Sequence, residues 1–117
     1  MKKTKEIGKL GEAIAREFLE NKGYDIIEQN YQNRYAEIDL IAKKNSFLIF
    51  VEVRTKTSER FGTPEETLNK RKLEKVRRNA QAYAARVHWQ GMYRIDAVCI
   101  VLDKKGNVQR LEHYEDI

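Results

Sequence analysis

From residue 5 to 21, apolar side chains recur at helical spacing, at Ile7, Leu10, Ile14 and Phe18, with Ala13 and Leu19 beside them and Gly23 as the stop. The spacing predicts an amphipathic helix. Gly8, Gly11 and Ala15 form a narrow stripe of small residues along it, which costs helix propensity but lets another backbone come close. Glu12 lies inside that stripe. The period then shortens. Residues 24–31 read as a strand, and the apolar segments 36–42 and 47–54, joined through Asn45-Ser46, read as a hairpin whose second strand runs on to Lys56.

Residues 57–63, polar and containing Gly62, read as a loop. Thr63-Pro64-Glu65-Glu66 carries the signature of a helix start: Thr63 as N-cap, Pro64 in the first turn and Glu66 closing a capping box. A long helix follows, with Leu68, Val76, Ala80, Tyr83, Ala84 and Val87 as its buried stripe and Asn69 as a second cap. Residues 93–102 predict a fourth strand, 103–107 a turn, and 108–114 a charged, edge-like fifth strand. The order helix, three strands, helix, two strands implies an α/β sandwich: a mixed sheet flanked by helices, in one domain spanning residues 1–117.

Composition narrows the class. The net charge of +5 and pI near 9.3 suit an anionic partner such as nucleic acid or an acidic membrane surface. Cys99 is the only cysteine, so no intramolecular disulfide can form, and His88 and His113 lie too far apart in sequence to build a zinc site with it. A reducing, cytoplasmic setting is expected. The longest apolar run, residues 97–102, is far too short to span a bilayer, and no apolar leader segment follows the basic start.

The hairpin carries the candidate chemistry. With Asn45-Ser46 as a two-residue loop, partner numbers sum to 91, so Asp39 faces Glu52 and Glu37 faces Arg54. One face then carries Ile38, Leu40, Ala42, Ile49, Val51 and Val53 and must be core. The other carries Ile41 and Phe50 near the turn, then the charges. Directly opposed carboxylates destabilise a sheet unless a proton or cation is shared between them. Three carboxylates against one guanidinium leave about two negative charges, which a divalent ion would neutralise; oxygen donors of this kind suit Mg2+ or Mn2+. The plainer reading is a cross-strand Glu37–Arg54 salt bridge with Asp39 and Glu52 facing solvent. Spacing alone weighs the two equally.

The second helix is the other candidate. Between Lys70 and Arg78 six of nine residues are basic, Lys70, Arg71, Lys72, Lys75, Arg77 and Arg78, with Glu74 the one acid. This is either a solvated surface or a ridge for phosphates, whose binding would weaken steeply with salt. Tyr35, Phe61 and Trp89 are aromatics able to stack on bases, or ordinary core and surface residues.

The residues Gly8 through Gly23-Tyr24, Asn30-Tyr31, Glu37-Ile38-Asp39-Leu40-Ile41, Phe50-Val51-Glu52-Val53, Arg60-Phe61-Gly62 and the helix around Lys72 resemble the YraN family of small bacterial endonuclease-like proteins over nearly the whole chain. That family is similar to the PD-(D/E)XK nucleases, which include restriction endonucleases and archaeal Holliday junction resolvases. The resemblance implies a restriction-endonuclease-like core. Within it Asp39 matches the metal-binding aspartate, Glu52 the motif's second acid, and Glu12 the glutamate contributed by the first helix of resolvase-like members. It further implies that Asp39, Glu52 and the Val53 carbonyl hold a metal, with Glu12 on a second metal or a bound water and Glu37 supporting Arg54.

Two positions depart from the family pattern. Ala36 stands where glycine is usual, and Arg54 where lysine is usual, with Lys56 two residues later where the family has arginine. A lysine can orient or help deprotonate the attacking water, whereas arginine keeps its proton and supplies only charge. The expectation is therefore a Mg2+- or Mn2+-dependent endonuclease acting on DNA, branched or otherwise structured, with Glu12, Asp39, Glu52, Arg54 and Lys56 as its catalytic set. The alternatives are a nucleic-acid-binding module on a nuclease fold that no longer cuts, and a structural partner of another protein. Among resolvase-like relatives two-fold dimers occur, so a homodimer is compatible with the resemblance.

Overall fold

The computed structural model describes residues 4–34 and 36–117. Tyr35, one of the aromatics singled out above, lies outside them. Helix α1 (Thr4–Asn21) leads into strands β1 (Asp25–Gln32), β2 (Glu37–Lys44) and β3 (Phe47–Lys56), then helix α2 (Lys70–Arg86), β4 (Met92–Leu102) and β5 (Val108–Tyr114). The five strands form one mixed sheet in the order β1-β2-β3-β4-β5, antiparallel except for the parallel pair β3–β4, which α2 connects. The architecture is α/β and compatible with a restriction-endonuclease-like core. No helix of the described residues is long and apolar enough to cross a membrane.

Each helix covers a core of its own. Ala15 and Leu19 of α1 pack with Leu40, Ala42, Ile49, Val51, Val98 and Ile100. Val76, Ala80, Tyr83 and Ala84 of α2 pack with Ile41, Leu48, Phe50 and Ile95. Trp89 belongs to the rim of this second core, its indole N–H donating to the Met92 carbonyl at 2.9 Å. α1 ends as its glycine suggested: Gly23 has φ +90°, and the Gly23 and Tyr24 amides donate to the Glu20 and Leu19 carbonyls, each at 3.0 Å.

The second helix starts later than its first capping signal. Thr63 Oγ1 accepts from the Glu66 amide at 3.3 Å, but this opens only a short 3-10 turn, Glu65–Thr67. Asn69 is the working cap of α2, its Oδ1 accepting from the Lys72 amide at 2.9 Å.

The hairpin register is the one expected, Leu40 opposite Val51 and Lys44 opposite Phe47, but the β2–β3 ladder stops at Leu40–Val51. Beyond it β2 stays paired to β1 through Glu37, and β3 stays paired to β4 through Lys56, so a gap opens between the two central strands. The face assignment changes there too. Ile38 belongs to the α2-side core and not, as strict alternation required, to the α1-side core with Leu40. On β1, Gln29 reaches toward α1 through Arg16, whereas Tyr31 packs edge-on against Tyr83 of α2. Both strands thus roll by half a period between these positions. Asn30, with φ +52°, is the backbone residue that absorbs the roll on β1.

Candidate metal centre

The gap between β2 and β3 is where the charged residues meet. Asp39 sits at the roll, and its Oδ2 accepts the Val53 amide at 2.8 Å, so a side chain occupies the place of the missing ladder bond. In an extended strand the N–H and C=O of one residue point to the same side, so the Val53 carbonyl also faces the gap. Glu12 arrives from α1 because the helix can lie close on β3. A Cβ built on Gly11 would fall 1.8 Å from Thr55 Oγ1, so any larger residue there would push α1 and Glu12 away.

Two sets of carboxylates result. Glu12, Glu37 and Asp39 each offer an oxygen within 4.8 Å of the other two, the spacing of a shared cation site. Glu52 points toward α2, 1 % exposed, with Oε2 at 3.4 Å from Arg54 Nη2 and 3.9 Å from Lys72 Nζ. Its Oε1 is buried without a hydrogen-bond partner, as is Arg54 Nε. The pairing differs from the expected one. Arg54 takes Glu52, its neighbour two residues away on β3, and Glu37 joins Glu12 and Asp39, because the ladder that would have set Glu37 opposite Arg54 has ended.

The electrostatics record carboxyl groups held away from water. Burial raises the pKa of Glu52 to about 8, with Asp39 adding to the rise against Lys72 and Arg54. Asp39 is raised by burial despite the Val53 hydrogen bond, and Glu12 by burial and then by Asp39. The four carboxyl groups Glu12, Glu37, Asp39 and Glu52 meet three cations, Arg54, Lys72 and Lys56, beside a cleft of about 290 Å3 lined by Glu12, Asp39, Val53, Arg54 and Lys56. Hard oxygen donors, three of them within reach of one another, and an orphaned buried carboxylate oxygen fit a divalent ion of the magnesium or manganese kind.

Of the basic residues assigned to the outer ridge, Lys70, Arg71, Lys75, Arg77 and Arg78 are exposed. Lys72 is half-buried and turns to Glu52. Two supporting residues had been given no role in the site. The Asn30 side chain favours the charged form of Glu12, and the signal was available, since asparagine is a non-glycine residue that readily takes a positive φ. Asn79, fully buried in α2, donates from Nδ2 to the Ala36 carbonyl at 2.8 Å and so pins the chain just before Glu37. A buried asparagine among Val76, Ala80 and Tyr83 was its signal.

Comparison with known proteins identifies the family of the chain. The profile described as uncharacterised protein family UPF0102 matches residues 11–100, a span that holds Glu12, Glu37, Asp39, Glu52, Arg54, Lys56 and Lys72. A UPF0102 protein of Dictyoglomus turgidum is 39 % identical over 111 residues, covering 94 % of each chain. One from Caldicellulosiruptor bescii is 38 % identical over 114 residues, covering 96 % of each. Another, from Clostridium botulinum strain 657, is 38 % identical over 102 residues, 86 % of this chain and 83 % of the relative. The chain therefore belongs to UPF0102, the YraN family.

Proposed function

We propose that this protein is a divalent-metal-dependent endonuclease that hydrolyses phosphodiester bonds of DNA. The observation that carries the reading is the buried Glu52 carboxylate, one oxygen orphaned and the other shared by Arg54 and Lys72, beside the Glu12, Glu37 and Asp39 cluster. Buried like charges are costly, and a fold keeps them together where a ligand completes them. Asp39, Glu12 and Glu37 would hold the ion, with Glu52 and the Val53 carbonyl at its other side. When bound, such an ion withdraws electrons from a phosphoryl oxygen and lowers the pKa of water.

The remaining steps belong to the chain. Arg54, Lys72 and Lys56 set positive charge around the place where a phosphate would lie, offsetting the charge that builds as water adds to phosphorus and a bridging P–O bond breaks. The exposed cations of α2, Lys70, Arg71, Lys75, Arg77 and Arg78, would hold the backbone without reading bases. The test is incubation with single-stranded, duplex, flapped and four-way DNA in Mg2+ or Mn2+ against EDTA. Metal-dependent cutting that Glu52→Ala abolishes supports the reading, and no cutting of any of them overturns it.

A second reading, binding without turnover, is favoured by one observation: Arg54, not lysine, is the β3 cation paired to Glu52. Under it Arg54→Lys gains activity. Under the first, Lys72 already supplies an ammonium beside Glu52 and the substitution lowers activity.

A further inference from the structure

We propose that the turn bearing Arg60 and Phe61 is a stacking platform for an unpaired base, so that the nucleic acid taken by this site carries single-stranded nucleotides beside the bond to be cut; the inference rests on the hydrolytic reading above. Phe61 is 87 % exposed, more than any other large apolar residue described. One exposed phenylalanine is ordinary; this one is held in water by a braced turn. The Gly62 amide donates to the Glu59 carbonyl at 3.2 Å and the Arg60 amide to Ser58 Oγ at 3.1 Å. Gly62 has φ +119°, and a Cβ there would meet Glu66 Oε2 at 2.7 Å, so the turn admits no other residue without strain. Glu59 is tied to Arg110 at 3.2 Å, and Arg110 to Glu65 at 2.6 Å, which also accepts the Tyr114 hydroxyl at 2.7 Å. An aromatic ring preordered in this way loses little entropy when a flat partner covers it.

Position and charge identify the partner. The acidic cleft and the hollow beneath Phe61 share Thr4, Thr55 and Lys56 as walls, so one groove runs from Asp39 to the ring. Lys56, Arg60 and Lys104 line its outer part, and the Arg60 guanidinium lies 5.3 Å from the Phe61 ring centre. Two of the acids nearby are engaged. Glu59 is paired to Arg110, and the Asp103 carboxylate accepts the Lys105 and Asn107 amides at 2.8 and 2.9 Å. The groove thus offers phosphate contacts and one open aromatic face. Bases inside a duplex are already stacked on each other, so only an unpaired nucleotide can bring its face to such a ring.

The test is anisotropy binding in EDTA to a labelled single strand, its blunt duplex, and the duplex with a single-stranded tail. Phe61→Ala is expected to weaken binding of the single strand and the tailed duplex about tenfold, to leave the blunt duplex unchanged, and to be rescued by Phe61→Trp. Thermal melting of both variants at the parental temperature accompanies the comparison, as expected for an exposed side chain. An equal effect on all three DNAs, no effect, or no binding by the parent overturns the proposal. Cleavage separates it from the hydrolytic reading. Parental cutting of tailed DNA by Phe61→Ala removes the platform and keeps hydrolysis, whereas Phe61-dependent binding without cutting by the parent does the reverse.

Discussion

Lys72 leaves the outer face of α2 and reaches Glu52 on β3, its Nζ 3.9 Å from Oε2, so the helix and the sheet contribute one cation each to a single buried carboxylate. Its neighbours Arg71 and Lys75 are exposed. Lys72→Met is accordingly expected to lower metal-dependent cleavage by roughly 10- to 100-fold, the usual effect of removing a group that orients a metal ligand. Lys75→Met should instead weaken DNA binding uniformly and reduce its salt slope by about one unit. Single-turnover cleavage and salt-dependent binding of the two variants separate these roles.

Asp39 is both a charge and the acceptor for the Val53 amide. Asp39→Asn keeps an acceptor oxygen and removes the charge, while Asp39→Ala leaves that amide without its partner. The alanine variant should be less stable than the asparagine variant by about 1–2 kcal/mol in urea unfolding. Both should lack the rise in melting temperature that Mn2+ is expected to give the parent. Equal stability of the two would mean that the Val53 amide finds another partner.

Glu52 sets a pH dependence of definite sign. Its pKa is raised from 4.5 to about 8 by burial and by Asp39, so between those values the native state holds a proton that the unfolded chain has released. This contribution to stability is complete below the lower value and is lost as pH rises through the higher one. In EDTA, melting temperatures taken from about pH 5 to pH 8.5 should therefore fall for the parent relative to Glu52→Gln, with Mn2+ closing the difference at the alkaline end. A parallel course for the two proteins would contradict the assignment.

Asn30 separates backbone from side chain. Its φ of +52° suits glycine as well as asparagine, so Asn30→Gly should fold with near-parental stability and Asn30→Ala should lose about 1 kcal/mol. Neither keeps the side-chain amide that favours the charged form of Glu12, so both should bind Mn2+ more weakly than the parent. Melting curves and calorimetric titration read the two effects independently.

Much of this arrangement is legible in the chain. Helical periodicity locates α1, the hairpin loop sets the register of Leu40 with Val51, and the glycine and alanine stripe anticipates the approach of α1 to Thr55. The roll at Asp39 is not legible. Ile38 and Leu40 are both apolar, and an alternation rule cannot tell that they serve opposite cores. The pairing of Arg54 with Glu52 and the grouping of Glu37 with Glu12 follow from that roll and were hidden with it. The start of α2 was obscured differently. Thr63 does cap a turn, but the turn is a single 3-10 one, and Asn69 caps the helix.

The most direct measurement of the central claim is calorimetric titration of the metal-free protein with Mn2+ at pH 7, repeated in buffers of different ionisation enthalpy. The Glu52 carboxyl, its pKa raised by burial to about 8, must give up its proton to take an ion. Binding is predicted to release protons in the parent, to release fewer in Glu52→Gln and to disappear in Asp39→Asn. No binding at millimolar Mn2+, or binding unaltered by Asp39→Asn, would contradict a metal centre built on Asp39.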